Sequence, residues 1–74
     1  MASWAVLPEA ETPLSRREKQ VLAIAANGYR IQETASLLGI STHTVRLHLA
    51  MARQRLEAST TAEAVARAAR EGLL

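Results

Sequence analysis

The stretch ETASLLGISTHTVRLHLAMARQRL, residues 33–56, decides the fold of this chain. It contains two segments of helical character, separated by Gly39-Ile40-Ser41. Ala35 is small enough to let two helices cross closely, and glycine at 39 tolerates the positive φ that a sharp turn needs. Val45 would anchor the second helix from its inner side. This spacing predicts a helix-turn-helix, a motif whose second helix can enter the major groove of DNA.

The composition of the whole chain indicates an all-α protein. Its 74 residues fit one domain, and 49% of them are hydrophobic, a share raised by fifteen alanines. Alanine with leucine, arginine, glutamate and glutamine favours helix over strand. The chain has no cysteine, no apolar run near the ~20 residues of a membrane span, and no basic start typical of a signal peptide. We therefore expect a cytoplasmic all-α protein that does not enter a membrane.

Capping signals divide the chain into a short arm and four helices. Residues 1–13 contain two prolines and two acids and are predicted to be an N-terminal arm or linker, in which Trp4 fits either packing on the core or disorder. Residues 14–74 form the predicted domain. Ser15 with Glu18 matches a capping box at the first helix, and Thr60 with Glu63 repeats that pattern before the last one. The four helices are predicted at about 14–28, 31–38, 42–58 and 61–71.

Two of these helices have a predicted buried face. In the second helix, we expect Ala35, Leu37 and Leu38 to be buried. In the third helix, a wheel at 100° per residue aligns four apolar side chains in one stripe that must face the core. These four are Val45, Leu49, Ala52 and Leu56.

The third helix also carries the charge that suggests a function. Residues 42–56 contain three arginines and no acid, whereas residues 1–12 contain two acids and no base. This asymmetry fits a polyanionic partner, although charge alone favours a merely solvated helix face. A major groove about 12 Å wide admits one helix, whose N-terminal residues meet base edges. The candidates for base contact are therefore Thr42, His43, Arg46, Leu47 and Ala50.

Other polar side chains are candidates for the DNA backbone or for structure. Arg46 fits either a bidentate pair with guanine or a phosphate contact. Arg55 fits a phosphate contact and plain solubility equally well. We expect His48, at the edge of the apolar stripe, to be a half-buried and hydrogen-bonded structural residue. The candidates for phosphate contact are Arg30, Thr44, Arg53 and Arg55.

The apolar arc of the fourth helix is too wide for one contact. It covers about 200°, whereas a core-facing stripe needs little more than ~100°. Ala64, Val65 and Ala68 are predicted to face the domain. The remaining apolar side chains would then face a second subunit, unless the alanines are simply exposed helix formers. The predicted dimer interface consists of Ala62, Ala66, Ala69 and Leu73.

Three segments together resemble a known family. LSRREKQVLAIAANGY, ETASLLGISTHTVRLHLAMARQRL and AEAVARAAREGLL are similar to the LuxR/GerE-type DNA-binding domain of bacterial transcription regulators, over about residues 14–74. The resemblance implies a four-helix bundle, DNA recognition by the third helix and dimerisation through the fourth. The chain departs from the family pattern at Arg30, where a Ser or Thr cap is usual, at Thr34 in place of isoleucine, and at Thr61 in place of arginine. The Thr34 hydroxyl is predicted to bond the carbonyl of Arg30.

The leading hypothesis is a sequence-specific regulator of transcription that binds double-stranded DNA, with an inverted-repeat site, as a homodimer. One alternative is a small helical module that binds RNA polymerase or a larger regulator, and another is the promoter-reading domain of a sigma factor, against which the fourth helix argues. An enzyme is not expected, because no nucleophile and base are paired in the sequence. His43 and His48 miss the i, i+4 spacing of a shared metal, so we expect neither metal nor cofactor. Twelve residues before the first helix are too few for a ligand-binding domain, so no small-molecule ligand is expected within the chain.

Overall fold

The computed structural model describes residues 13–74, which form four α-helices and contain no strand. This confirms the predicted all-α, four-helix helix-turn-helix architecture. The predicted arm, residues 1–13, lies outside the described residues except for Pro13. No helix in residues 13–74 has the length and apolar character that a membrane crossing requires. The helices are α1 (Arg16–Ala26), α2 (Ile31–Leu38), α3 (Thr42–Arg55) and α4 (Thr61–Arg70).

Capping hydrogen bonds set where α1 and α4 begin. The Ser15 hydroxyl accepts the Glu18 N–H at 3.1 Å, and the Glu18 carboxylate accepts the Ser15 N–H at 3.1 Å, which confirms the predicted capping box. At α4 the Thr60 hydroxyl accepts the Glu63 N–H at 3.0 Å. The Glu63 carboxylate, however, accepts the N–H of Ser59 at 2.7 Å, one residue before the cap. The second predicted box is therefore wrong in its return bond, because the side chain of Glu63 reaches past Thr60.

The start of α2 lacks a side-chain cap, because arginine has no acceptor to offer at position 30. The return bond of a capping box is nevertheless present, since the Glu33 carboxylate accepts the Arg30 N–H at 2.8 Å. The Thr34 hydroxyl donates to the Arg30 carbonyl at 3.0 Å, as predicted. Thr34 is only 2% exposed, so this bond satisfies a polar group inside the core.

α2 and α3 end in the same way. A residue with positive φ follows the helix, and the N–H of the next residue donates to a carbonyl of the last turn. Gly39 has φ +67°, and the Ile40 N–H donates to the Ala35 carbonyl at 3.1 Å. At α3 the corresponding residue is Glu57, with φ +55°. The prediction that this helix continues to residue 58 is wrong, because Glu57 ends it without the glycine that usually marks such a stop.

The core lies around α3, which packs against each of the other three helices. The predicted apolar stripe of α3 is confirmed, since all four of its residues are at most 6% exposed. α2 contributes Ala35 to this core, and α4 contributes Ala64 and Ala68. The buried apolar residues are Leu14, Val21, Leu22, Ala35, Val45, Leu49, Ala52, Leu56, Ala64 and Ala68.

One predicted core residue of α2 lies in solvent. Ala35 is buried and Leu38 packs partly against the core, but Leu37 is 60% exposed. At 100° per residue, position 37 lies about 200° from position 35 and therefore on the opposite side of the helix. The prediction for Leu37 is therefore wrong, because the helical period turns this apolar side chain away from the core.

Candidate nucleic-acid interface

The face of α3 opposite its buried stripe is open. His43 is exposed there and Leu47 is 50% exposed, while Arg46 is exposed on the shoulder between this face and the stripe. Thr42 and Ala50 are half-buried beside them. The Ser41 hydroxyl accepts the Thr44 N–H at 3.0 Å and thereby caps the N-terminus of α3. The five predicted base-contact residues thus lie on the N-terminal two-thirds of one helix, and three of them are largely uncovered.

The four predicted phosphate-contact residues have different surroundings. Arg30 is exposed, and its guanidinium has no hydrogen bond or ion pair within residues 13–74. The Thr44 hydroxyl shares a 2.9 Å hydrogen bond with that of Ser41. Arg53 is half-buried, and its Nη1 donates to the Thr61 hydroxyl at 3.3 Å.

Arg55 has a structural partner that the sequence patterns did not indicate. Its Nη1 lies 3.4 Å from Oε1 of Glu18, whose side chain is 2% exposed, whereas that of Arg55 is 44% exposed. The same oxygen accepts the Ser15 N–H, so one buried carboxylate caps α1 and joins it to the end of α3. No spacing rule relates residues 18 and 55, and their ion pair depends on how α1 and α3 pack.

A groove of about 470 Å³ lies beside α3, and we call it the arginine groove. Its sides include the guanidinium-bearing residues Arg30 and Arg46, from α2's cap and from α3. Its buried lining residues are apolar Val21 and Leu49 and polar Thr34. No acid lines this groove among the residues that the structure describes. The lining residues are Val21, Ala25, Tyr29, Arg30, Ile31, Gln32, Thr34, Arg46, Leu49 and Thr61.

His48 is half-buried at the edge of the stripe, as predicted. Its Nδ1 is buried and has no hydrogen-bond partner within residues 13–74, so the prediction of a hydrogen-bonded histidine is wrong for that nitrogen.

The fourth helix presents two surfaces. Ala64 and Ala68 are fully buried, which confirms its inner face. Ala62, Ala66 and Ala69 are exposed in the single chain. Leu73, grouped with them in the predicted dimer interface, is half-buried and packs against the core.

Charge in the described chain is predominantly positive. Residues 13–74 contain all nine basic side chains and five of the seven acidic ones. Two of those acids are paired with arginines, Glu18 with Arg55 and Glu63 with Arg67 at 3.1 Å. The Ser59 N–H and then the Arg67 guanidinium lower the pKa of Glu63 below its usual 4.5. The guanidiniums at the arginine groove have no such acidic partner in the described range, and their positive charge is not neutralised locally.

Comparison with known proteins agrees with this architecture. Residues 12–68 match the model of the bacterial regulatory proteins of the luxR family. The chain is 38% identical over 60 residues to the transcriptional regulatory protein DesR of Bacillus subtilis, an alignment covering 81% of this chain and 30% of that protein. It is 46% identical over 50 residues to the transcriptional activator protein RaiR of Rhizobium etli, covering 68% of this chain and 21% of that protein.

The chain thus aligns with less than a third of the length of either relative. The matched residues include the helix-turn-helix and most of α4. The chain therefore belongs to the luxR family of bacterial regulatory proteins and is a helix-turn-helix DNA-binding domain of that family rather than an enzyme.

Proposed function

We propose that this domain binds a specific sequence of double-stranded DNA by placing α3 in the major groove, and that it regulates transcription. The observation that carries the proposal is the open face of α3 with an uncommitted cation on it. Arg46 is exposed and forms no hydrogen bond or ion pair within residues 13–74. The buried stripe of α3 lies about 90° around the helix from Arg46, so packing of the other helices against that stripe leaves the Arg46 side chain exposed.

The side chains on that face differ in what they can recognise. Arg46 can donate two hydrogen bonds to O6 and N7 of guanine, the commonest specific contact in the major groove. Leu47 and Ala50 offer apolar contact to a thymine methyl. His43 and Thr42 supply polar atoms at the N-terminus of the helix, where base edges are met first.

The backbone contacts are assigned to side chains beside the reading face. Arg30 and Arg53 have no acidic partner in the described chain, so their charge is available to phosphates. Thr44 can add a hydroxyl. Arg55 is the weakest of the four candidates, because its guanidinium already neutralises a buried carboxylate.

We propose further that two copies associate through α4 and read an inverted repeat. Exposed alanines at 62, 66 and 69 let two helices approach closely at a two-fold axis, with Leu73 at the edge of the contact. Two reading helices would then meet half-sites about one turn, ~34 Å, apart. The relatives are named as regulators of transcription and are much longer, which supports a place for this domain within or beside a larger regulator, with RNA polymerase as a further partner.

The test of the DNA proposal is selection of bound sequences from a random duplex pool, followed by fluorescence anisotropy over a range of salt. Arg46→Ala should lose about 1–3 kcal/mol on the selected site and relax preference at one base pair. Arg53→Ala should weaken binding to all sequences and flatten the salt dependence. Arg17→Ala is the charge-matched control, because Arg17 lies on α1 and, within residues 13–74, its side chain bonds only Gln20.

A protein-interaction module would give a different result. Its affinity for random duplex would be negligible, with no steep decrease as salt rises. Equal losses for the Arg46 and Arg53 variants on every sequence would contradict the roles assigned to these two residues.

The dimer is tested by Ala66→Glu combined with Ala69→Glu. Both side chains are exposed, so the fold should persist while sedimentation shows monomers and affinity for the inverted repeat is lost. Arg17→Glu changes the net charge by the same amount on α1 and should remain dimeric. Unchanged sedimentation and unchanged affinity of the double variant would exclude this interface.

A further inference from the structure

We propose that Thr61 is a positioning residue for binding of the DNA backbone, because its hydroxyl orients the guanidinium of Arg53 beside the arginine groove. This inference rests on the proposed function. Thr61 is the first residue of α4, and Arg53 lies in the last turn of α3. The hydrogen bond between them therefore joins the reading helix to the helix that follows it.

Backbone and capping hydrogen bonds of the turn between α3 and α4 hold both partners of this hydrogen bond. Arg53 Nη1 donates to Thr61 Oγ1 over 3.3 Å, at the long end of the range for such bonds, so it restrains the arginine head without immobilising it. The carbonyl of Arg53 accepts the Ala58 N–H at 2.8 Å, and Thr60 caps α4 through its own hydroxyl. Both partners of the bond are thus held by the backbone of the turn that separates them.

The bond leaves the charge of Arg53 available. A guanidinium has five N–H donors, and one of them is used here. A hydroxyl is neutral, so it orients the cation without neutralising it. Arg55 and Arg67 differ in this respect, because each is paired with a carboxylate.

The position of Thr61 brings this cation to a site that already has two. Thr61 lines the arginine groove together with Arg30 and Arg46. Two guanidiniums therefore line the groove, and a third, that of Arg53, is bonded to a residue of its lining. Planar guanidiniums without acidic partners suit the oxygens of a phosphate group, and the phosphates that the domain meets in its proposed role are those of the DNA backbone.

Orientation has a measurable consequence. A long side chain that must be ordered during binding loses rotamer freedom, and a bond formed beforehand has already removed part of it. Loss of the Thr61 hydroxyl should therefore weaken DNA binding about threefold to tenfold on all sequences alike, without creating a preference for any base.

The experiment compares Thr61→Val with Thr61→Ser in the full chain. Valine keeps the branched shape and removes the hydroxyl, and Thr60 remains as the cap of α4. Affinity for a random duplex and for the selected site is measured by anisotropy against salt. We expect the valine variant to bind both duplexes more weakly, and the serine variant to match the wild type.

A double-variant cycle separates positioning from a general structural effect. In an Arg53→Ala background, Thr61→Val should cause no further loss of affinity, while the unfolding midpoint and the dimerisation constant should be unchanged in all variants. An undiminished affinity of Thr61→Val, or a loss that persists in the Arg53→Ala background, would overturn the positioning role alone. A wild-type chain with no salt-dependent affinity for duplex DNA would overturn the proposed function and this inference with it.

Discussion

The ion pair between Glu18 and Arg55 gives the sharpest test of how this small domain is held together. The Glu18 carboxylate is 2% exposed and has two partners, the Ser15 N–H at 3.1 Å and the Arg55 guanidinium at 3.4 Å. Arg55→Ala would leave a buried negative charge with the backbone N–H alone. Breaking a fully buried ion pair costs about 3–5 kcal/mol, whereas an exposed pair is worth about 0–1 kcal/mol.

This pair lies between those limits, because its arginine is 44% exposed and its spacing is longer than that of an ideal contact. We expect Arg55→Ala to lower the free energy of unfolding by about 1–2 kcal/mol. In a domain of this size, each 1 kcal/mol lowers the melting temperature by about 4–8 °C. Urea unfolding followed by circular dichroism at 222 nm measures the change directly.

Glu18→Gln isolates the charge from the cap. Glutamine can still accept the Ser15 N–H through its amide oxygen, but it has no charge for Arg55 to neutralise. In that background Arg55→Ala should cost little, so the double-mutant cycle should give a coupling energy of about 1–2 kcal/mol. Arg17→Ala, at an exposed position of α1, should change stability by no more than ~0.5 kcal/mol. Two results would refute this role of the ion pair. One is an Arg55→Ala variant that unfolds at the same urea concentration as the wild type, and the other is an equal loss of stability from Arg55→Ala when position 18 is glutamine.

Other changes test the turns, the core hydroxyl and the cap of α4. Gly39→Ala should lower the free energy of unfolding in urea by about 1 kcal/mol, because a side chain at φ +67° is strained even where an added Cβ has no other described residue than its chain neighbours within 4 Å. Glu57→Gly should raise the free energy of unfolding by about 0.5 kcal/mol, since φ +55° suits glycine. If both variants raised stability, or both lowered it, this account of the two helix ends would be contradicted. Thr34→Val should change the free energy of unfolding by no more than ~1 kcal/mol, because the Arg30 carbonyl still accepts the backbone N–H of residue 34 at 2.9 Å. A larger loss of stability would show that the hydroxyl is indispensable. The pKa of Glu63 is lower in the folded state, so its contribution to stability is present above its usual pKa of 4.5 and is lost as the pH falls below that value; Glu63→Gln should remove this part of the pH dependence, and an unchanged profile would exclude it.

Features that depend on neighbours within about one helical turn were predictable from the residues alone. Two of the predicted contacts join residues three or four positions apart, namely the capping box at Ser15 and the bond from Thr34 to the Arg30 carbonyl. The bounds of α2 were also predicted from local signals. The buried stripe of α3 follows from the same period, repeated over about three turns. Local geometry constrains these contacts strongly, because a helix places such residues side by side in almost any protein.

Contacts between helices could not be read in this way. The pairing of Arg55 with Glu18, the bond from Arg53 to Thr61 and the shared groove of Arg30 and Arg46 depend on how the helices lie against one another. All of these arginines have the same local signature, a cation on a helix flank or cap, so the residues alone left the role of Arg55 undecided. Packing places one arginine over a buried carboxylate and leaves two others beside an open groove. That difference separates the cation that stabilises the fold from those proposed to bind DNA.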